Sequence, residues 1–388
     1  MRIAMLLHKS VEFDSRVRRE AGALAAAGHQ VTVLELASAP AAATRDGFAR
    51  RSVLPKPAVR RWLPFHLYRV AFLVSFVRGI LVLRPQVVHA HDAAMLLPGA
   101  LGARITGAAL VYDSHELATG VPYRERAWTW LVSALERAIV PRCAAVITVS
   151  DGIAQRLTER YRLATTPTVV RNVSALTVAG KGGLRCRLRL GPQAPLVLHQ
   201  GAPAPDRGCE VLLDAVSRVQ DVHLVFLGDP EPGYGERLAA EITRLGLSDR
   251  VTSLPSVALD ELLAYTAEAD VGVTLLQDTC ENHRLALPNK LFEYIAAGIP
   301  VIASALPETQ RLVTEYGVGW CVTPDEPAEL AAAIGEALAA RADPALRDRL
   351  RRAADELRWS REQSRLLDLY AALDGGTSRG LRRARVPA

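Results

Sequence analysis

Short runs rich in β-branched and aliphatic residues alternate with stretches of helical period along this whole chain, and near its middle the pattern starts again. That alternation is the mark of parallel sheets joined by crossover helices, so the fold class is α/β. In the first half the predicted strands are Arg2–Leu7, Gln30–Leu34, Gln86–His91, Ala109–Asp113, Ala145–Val149 and Thr168–Arg171. In the second they are Leu196–Gln200, Val222–Leu227, Val251–Leu254, Val271–Leu275, Val301–Ala303 and Gly319–Val322. A length of 388 residues is comfortable for two domains that each bury a core. Between Asn172 and Pro195 the apolar periodicity lapses and Gly180, Gly182 and Gly183 appear, so the domains are expected at 1–175 and 195–356, joined by a linker at 176–194. The Gly/Arg-rich end, 375–388, reads as a disordered basic tail.

The charge is basic, +6 with pI ≈ 9.2, and unevenly placed. One excess runs from Arg45 to Arg84, where Arg50, Arg51, Lys56, Arg60, Arg61, Arg69 and Arg78 face the lone Asp46; the other is the tail. Arg69 and Arg78 interrupt the apolar run in the first stretch, which argues against a membrane span and leaves a basic amphipathic helix that docks on a surface or an ordinary core helix with a solvated flank. Five cysteines, odd in number and without a CxxC pair, suggest neither a disulfide framework nor a zinc site and fit a reducing cytoplasm. The first residues, Met-Arg-Ile-Ala-Met-Leu-Leu-His, read as a strand, not as a secretion signal.

In open α/β sheets ligands gather beyond the carboxyl ends of the strands, so residues just after a strand are the first candidates for chemistry. His89, His91 and Asp92 end one strand, and Asp113, Ser114, His115 and Glu116 end the next. Alternation puts His89 and His91 on one sheet face without fixing a tetrahedral ligand set, so no metal site is expected. In the second half, Leu287-Pro-Asn-Lys-Leu-Phe-Glu-Tyr-Ile-Ala-Ala-Gly-Ile-Pro-Val-Ile-Ala303 reads as loop, helix, glycine stop and strand. Its helix start attracts anions, and Lys290 adds a full charge there, suited to a diphosphate. Glu293 lies one turn on, where a carboxylate can accept two ribose hydroxyls; with no ligand it serves equally as a partner for the helix dipole. Gly201 and the segment Asp206-Arg207-Gly208 imply a second anion site, since a cation at a helix start is otherwise mildly unfavourable. Gly228 and Ser256, at further strand ends, are small enough to let a nucleobase approach the backbone.

These segments together resemble the retaining glycosyltransferases of the GT-B fold, glycosyltransferase family 4 or group 1, along nearly the whole chain. The matching segments are Asp14-Ser-Arg-Val17 through Leu24–Val31, Val87–Asp92, Val111–Glu116, Gly201–Gly208 and Asn289–Pro300; the helix with Trp359 and Tyr370 is similar to one that crosses back onto the first domain, here 357–374. The resemblance implies two Rossmann-like domains facing each other across a cleft. It implies a nucleotide-sugar donor held by Gly201, Gly228, Ser256, Glu281, Asn282, Pro288, Asn289, Leu291 and Glu293. An acceptor, a small metabolite or a lipid-linked saccharide, would lie toward Asp14, Arg16, His91, Asp92 and Glu116. His115, Arg207 and Lys290 take the catalytic roles, with no cofactor, no obligatory metal and no nucleic-acid partner. The implied reaction is a front-side displacement with retention, in which the departing diphosphate takes the acceptor's proton. If the acceptor is lipid-linked, the basic stretch from Arg45 to Arg84 of this cytoplasmic protein is expected to dock on the inner face of a membrane; if it is a soluble metabolite, the same side chains solvate the domain.

Two positions depart from the family pattern. Ala202 stands where an arginine usually follows the glycine, and Leu285 where the first of two glutamates usually contacts the donor sugar, so donor selectivity is the property most affected. A dinucleotide-dependent oxidoreductase is disfavoured because the first strand-to-helix turn, His8 to Arg16, contains no glycine. A sugar-nucleotide epimerase or phosphorylase of the same architecture, or a silent sugar-nucleotide-binding subunit, are the alternatives.

Overall fold

The computed structural model describes residues 1–36, 46–53, 64–121, 126–175, 178, 180 and 182–383. The chain divides into two compact units, Met1–Arg171 with Glu362–Ala388, and Asn172–Arg361.

Among the described residues the first unit is built on seven parallel strands: β1 (Arg2–Leu7), β2 (Gln30–Glu35), β3 (Ala49–Ser52), β4 (Val87–His91), β5 (Ala109–Ser114), β6 (Ala145–Thr148) and β7 (Thr168–Val169). Their order is β3-β2-β1-β4-β5-β6-β7. From β1 the chain works outward to β2 and β3, then returns to lay β4 on the other side. The sheet therefore has a switch point between β1 and β4, and a crevice opens there beyond the strand ends. β3 was not expected: Ala-Arg-Arg-Ser has no apolar run, and it pairs as an edge strand with half its residues in water.

The second unit repeats the plan with six parallel strands, β8 (Leu196–Gln200), β9 (His223–Leu227), β10 (Val251–Leu254), β11 (Val271–Thr274), β12 (Val301–Ser304) and β13 (Gly319–Val322), in the order β10-β9-β8-β11-β12-β13. Its switch point lies between β8 and β11. Both central strands are wholly buried, as continuous apolar runs in a doubly covered sheet should be. The buried hydroxyl of Tyr294 accepts from the Gln200 amide at 2.9 Å and lies 3.1 and 3.2 Å from the Val273 and Leu198 carbonyls, tying the helix Asn289–Ala297 to both strands. Gly272 makes this contact possible, because a Cβ there would lie 2.3 Å from the Tyr294 ring.

Two expectations change here. The end of the stretch expected as the linker falls in the second unit: the Gly183 and Arg185 amides donate to Glu268 at 2.7 and 2.8 Å, Arg185 pairs with Asp270 at 2.9 Å, and Leu184–Arg187 is a helical turn. The last helix runs from Trp359 to Arg383, so the backbone of 375–383 is helical where a disordered tail was expected; the rest of that tail lies outside the described residues.

Candidate active site

At the first switch point, Asp14 caps the helix Ser15–Ala26 by accepting from the Val17 amide at 3.0 Å, and Lys9 sits 3.0 Å from its carboxylate. Burial works against the charged form of Asp14, but His115, the Val17 N–H and Lys9 outweigh it and bring its pKa to about 2. Two residues on, Arg16 is buried, grips both oxygens of Asp113 at 3.0 Å, donates to the Val170 carbonyl at 2.6 Å and pairs with Glu20 at 3.0 Å. Arg16 was expected to face an acceptor; its guanidinium is instead taken up by internal partners.

His89 and His91, both buried on one face of β4, stack with ring centres 4.2 Å apart. His89 is held by the Tyr370 hydroxyl at 2.9 Å, and burial drives its pKa well below the usual histidine value. His91 lies 3.1 Å from His115, whose ring reaches Asp113 at 3.1 Å and Asp92 at 3.4 Å. Burial alone would deprotonate His115, but Asp92 and Asp113 prevail and raise its pKa to about 9. Asp113 resists its own burial because Arg16 and His115 keep it ionised, with its pKa well below the usual carboxylate range. Asp92 adopts a left-handed backbone (φ 63°), which turns its carboxylate back to accept from the His115 amide at 3.3 Å. Glu116 takes part through its carbonyl, which accepts from the Ser114 hydroxyl at 2.8 Å.

Glu20, His89, His91 and Asp113 bring one ligand atom each within 4.8 Å of one another. The Arg16 guanidinium lies 3.0 Å from both carboxylates of that set. His115 should therefore titrate as an imidazolium: its ring proton resonances are expected to shift near pH 9, and a midpoint near the ordinary 6.5 in an NMR titration would contradict the geometry.

At the second switch point, Gly201 follows β8 with φ +91°, and a Cβ there would come within 2.9 Å of the Lys290 side chain. Gly228 follows β9 just as tightly, since its Cβ would meet the Gly201 carbonyl carbon at 2.6 Å. These two glycines let the strand-end loops and Lys290 converge. The helix Asn289–Ala297 starts at Pro288, which provides no side-chain cap. The Asn289 carboxamide accepts from Asn172 at 2.8 Å, while Leu291 turns into the core.

Burial, and then the nearby Arg207, lower the Lys290 pKa to about 8. Neither the Lys290 ammonium nor the Arg207 guanidinium has a hydrogen bond or salt bridge to a described residue. Two cations thus sit close together beside an uncapped helix start. Glu293 accepts from the Gln200 carboxamide, whose oxygen accepts from Thr266 at 2.6 Å, so its carboxylate is oriented from below. Ser256 accepts from the Asp229 amide at 3.2 Å and holds the loop after β9. Glu281 and the buried Asn282 open the short helix Glu281–Leu285.

The supporting residues Glu20, Gln200 and Tyr294 were not singled out from sequence. Glu20 was signalled by its i,i+4 spacing from Arg16, and Tyr294 by its place beside Glu293; Gln200 carried no signal beyond ending a strand.

Two Rossmann-like parallel-sheet domains in one chain are the GT-B architecture of nucleotide-sugar glycosyltransferases. The chain belongs to glycosyltransferase family 4, group 1: residues 15–173 match the model of Glycosyltransferase Family 4, and residues 194–340 that of Glycosyl transferases group 1. A D-inositol 3-phosphate glycosyltransferase from Mycolicibacterium gilvum is 30% identical over 173 residues, 44% of this chain and 38% of that protein. The chain spans less than half the length of the curated relatives it matches. Among solved structures, sucrose-phosphate synthase from Thermosynechococcus elongatus aligns with a TM-score of 0.77 at 22% identity, covering 97% of this chain and 100% of the other. The Anabaena protein HepE in complex with UDP-glucose aligns at 0.76 and 18%, covering 95% and 99%.

Proposed function

We propose that the chain is a retaining hexosyltransferase that moves a sugar from a nucleoside diphosphate to an acceptor hydroxyl. The observation that carries this is the pair of cations, Lys290 and Arg207, which have no salt bridge to a described residue at the switch point of the second sheet. Their mutual repulsion and the desolvation of Lys290 are costs to the empty site that a diphosphate relieves. The same groups stabilise the charge that grows on the β-phosphate as the bond to the anomeric carbon breaks. The acceptor oxygen bonds to that carbon on the side the diphosphate leaves, and the acceptor's proton passes to the departing phosphate oxygen. The residues work without an obligatory metal, so turnover is expected to persist in chelator.

Glu293 accepts the ribose hydroxyls, with Gly228 and Ser256 beside the base. Glu281 and Asn282 lie toward the sugar, where Leu285 removes the usual carboxylate. His115, cationic at neutral pH, faces the acceptor side of the first domain together with Asp14, Asp92 and Glu116. The binding of UDP-glucose by HepE supports a uridine diphosphate sugar, and the relatives named for D-inositol 3-phosphate support a hydroxyl acceptor, either a small metabolite or a lipid-linked saccharide. Five free cysteines suit a reducing cytoplasm.

Replacing Glu293 with alanine removes charged hydrogen bonds to the ribose worth about 1.5 to 3 kcal/mol. Titration calorimetry with a nucleoside diphosphate is expected to show affinity falling by one to two orders of magnitude. Unchanged affinity in a folded Glu293→Ala protein would move the ribose elsewhere. Release of nucleoside diphosphate that depends on an acceptor separates transfer from epimerisation and from phosphorolysis.

A further inference from the structure

The helix Phe65–Leu83 carries apolar residues all round, interrupted by Arg69 and Arg78, and among the described residues one face is buried while the opposite face is exposed. Phe76 and Ile80 are buried in the core with Leu34 and Val88, while Leu67, Val70, Val74 and Leu81 recur at helical spacing on the opposite face and stand in water, Val70 at 58% exposure and Val74 at 57%. The helix Ala93–Thr106 packs against it, with Ile80 seated over Gly102, and exposes Ile105. The helix Arg126–Ile139 packs on that second helix in turn, and its Trp128 lies 6.0 Å from the Arg69 guanidinium of the first; its Trp130 is 72% exposed. Three neighbouring helices thus present a run of exposed aliphatic and indole groups, more than scattered surface residues produce.

The charge on these helices is one-sided. Arg69, Arg78, Arg104, Arg126 and Arg137 are all exposed. The single acidic residue in the three helices, Glu136, is buried and accepts from the Tyr112 and Tyr161 hydroxyls at 2.8 and 2.6 Å. Among their described residues these helices present a surface that is apolar, basic and free of exposed carboxylates, with Trp130 exposed on it, which is complementary to an anionic lipid bilayer. None of the described helices is long and apolar enough to cross a membrane, so the contact is one of docking rather than spanning.

We propose that these three helices seat the first domain on an anionic bilayer surface, with the Val70 and Val74 stripe and Trp130 at the acyl boundary and the arginines among the headgroups. The proposal is independent of the donor site in the second domain. Vesicle co-sedimentation tests it, with phosphatidylcholine alone and with phosphatidylcholine mixed with phosphatidylglycerol. The full chain is expected to bind the mixed vesicles, to release them as salt shortens the Debye length from about 10 Å at 0.1 M to about 3 Å at 1 M, and to ignore the neutral ones. Arg69→Gln and Arg78→Gln are each expected to weaken partition about fivefold, and Val70→Glu with Val74→Glu at least about tenfold. These positions are solvent-exposed, so the melting temperature and nucleoside diphosphate affinity should stay at wild-type values. Trp130 fluorescence should shift to shorter wavelength on the mixed vesicles and lose that component in Trp130→Phe. Equal binding to both vesicle types, or none to the mixed ones, overturns the proposal. So does self-association without lipid that Val70→Glu with Val74→Glu abolishes, because the face would then be covered by a second copy of the chain.

Discussion

Lys290→Ala and Arg207→Ala are each expected to lower turnover by about 10²- to 10³-fold, the loss seen when one preorganised donor to a developing anion is removed. Affinity for an uncharged nucleoside should barely change, because both side chains act on the diphosphate. The pH dependence follows from the position of Lys290. Its pKa in the folded chain, about 8, lies below the ordinary 10.5, so the folded state holds the ammonium at a cost that is present below pH 8 and disappears as pH rises from there toward 10.5. A diphosphate reverses that shift, and binding at pH 8 to 9 should therefore take up a proton. Calorimetry in buffers of different ionisation enthalpy measures this uptake directly. Wild-type turnover in either variant, or binding without proton uptake, would relocate the phosphate site.

A second large effect is expected at Arg16. Arg16→Met leaves Asp113 and Glu20 buried without their cation, and breaking such a pair from one side typically costs about 3 to 5 kcal/mol. Asp113 is held far below its usual pKa, so in the wild type its contribution is present above the unfolded value and is lost as pH falls through the folded one. Without Arg16 that depression weakens, with His115 left as the remaining cation, and protonation then relieves the stranded carboxylate. The stability gap between wild type and Arg16→Met should accordingly narrow on acidification, which urea denaturation at several pH values resolves. A gap that widens toward acid would mean that Arg16 does not hold Asp113. Arg16→Lys keeps the charge but not the two-pronged grip, and should fall between the two.

The central strands of both sheets were legible because burial on both faces writes them as unbroken apolar runs, as in Leu196–Gln200. β3 was hidden for the opposite reason: Ala49–Ser52 is an edge strand whose pairing rests on backbone hydrogen bonds, and its side chains carry charge rather than bulk. The glycines at 375 and 376 read as a helix end, yet the helix Trp359–Arg383 continues through them. The placing of charge at a strand end or a helix start was legible, as at His115 after β5 and Lys290 in the first turn of the helix Asn289–Ala297. The partners of Arg16 were not legible, because sequence cannot tell an arginine that waits for a ligand from one that already has partners 97 and 154 positions away in Asp113 and Val170. The same limit hid the Tyr294 hydroxyl, whose three backbone contacts belong to two different strands.

The bond between the Tyr370 hydroxyl and His89 joins residues 281 positions apart, within a unit that contains both the first and the last described residues. A chain made from its amino end thus has the whole of 172–361 in hand before it can finish the unit it began with. Until Glu362 and Tyr370 have been synthesised, the Arg171 amide lacks its carboxylate acceptor and His89 its hydroxyl. The later-made domain can close on local contacts while the earlier one waits. A chain released after Arg361 should therefore carry a protease-resistant second domain behind a first domain that is still cut.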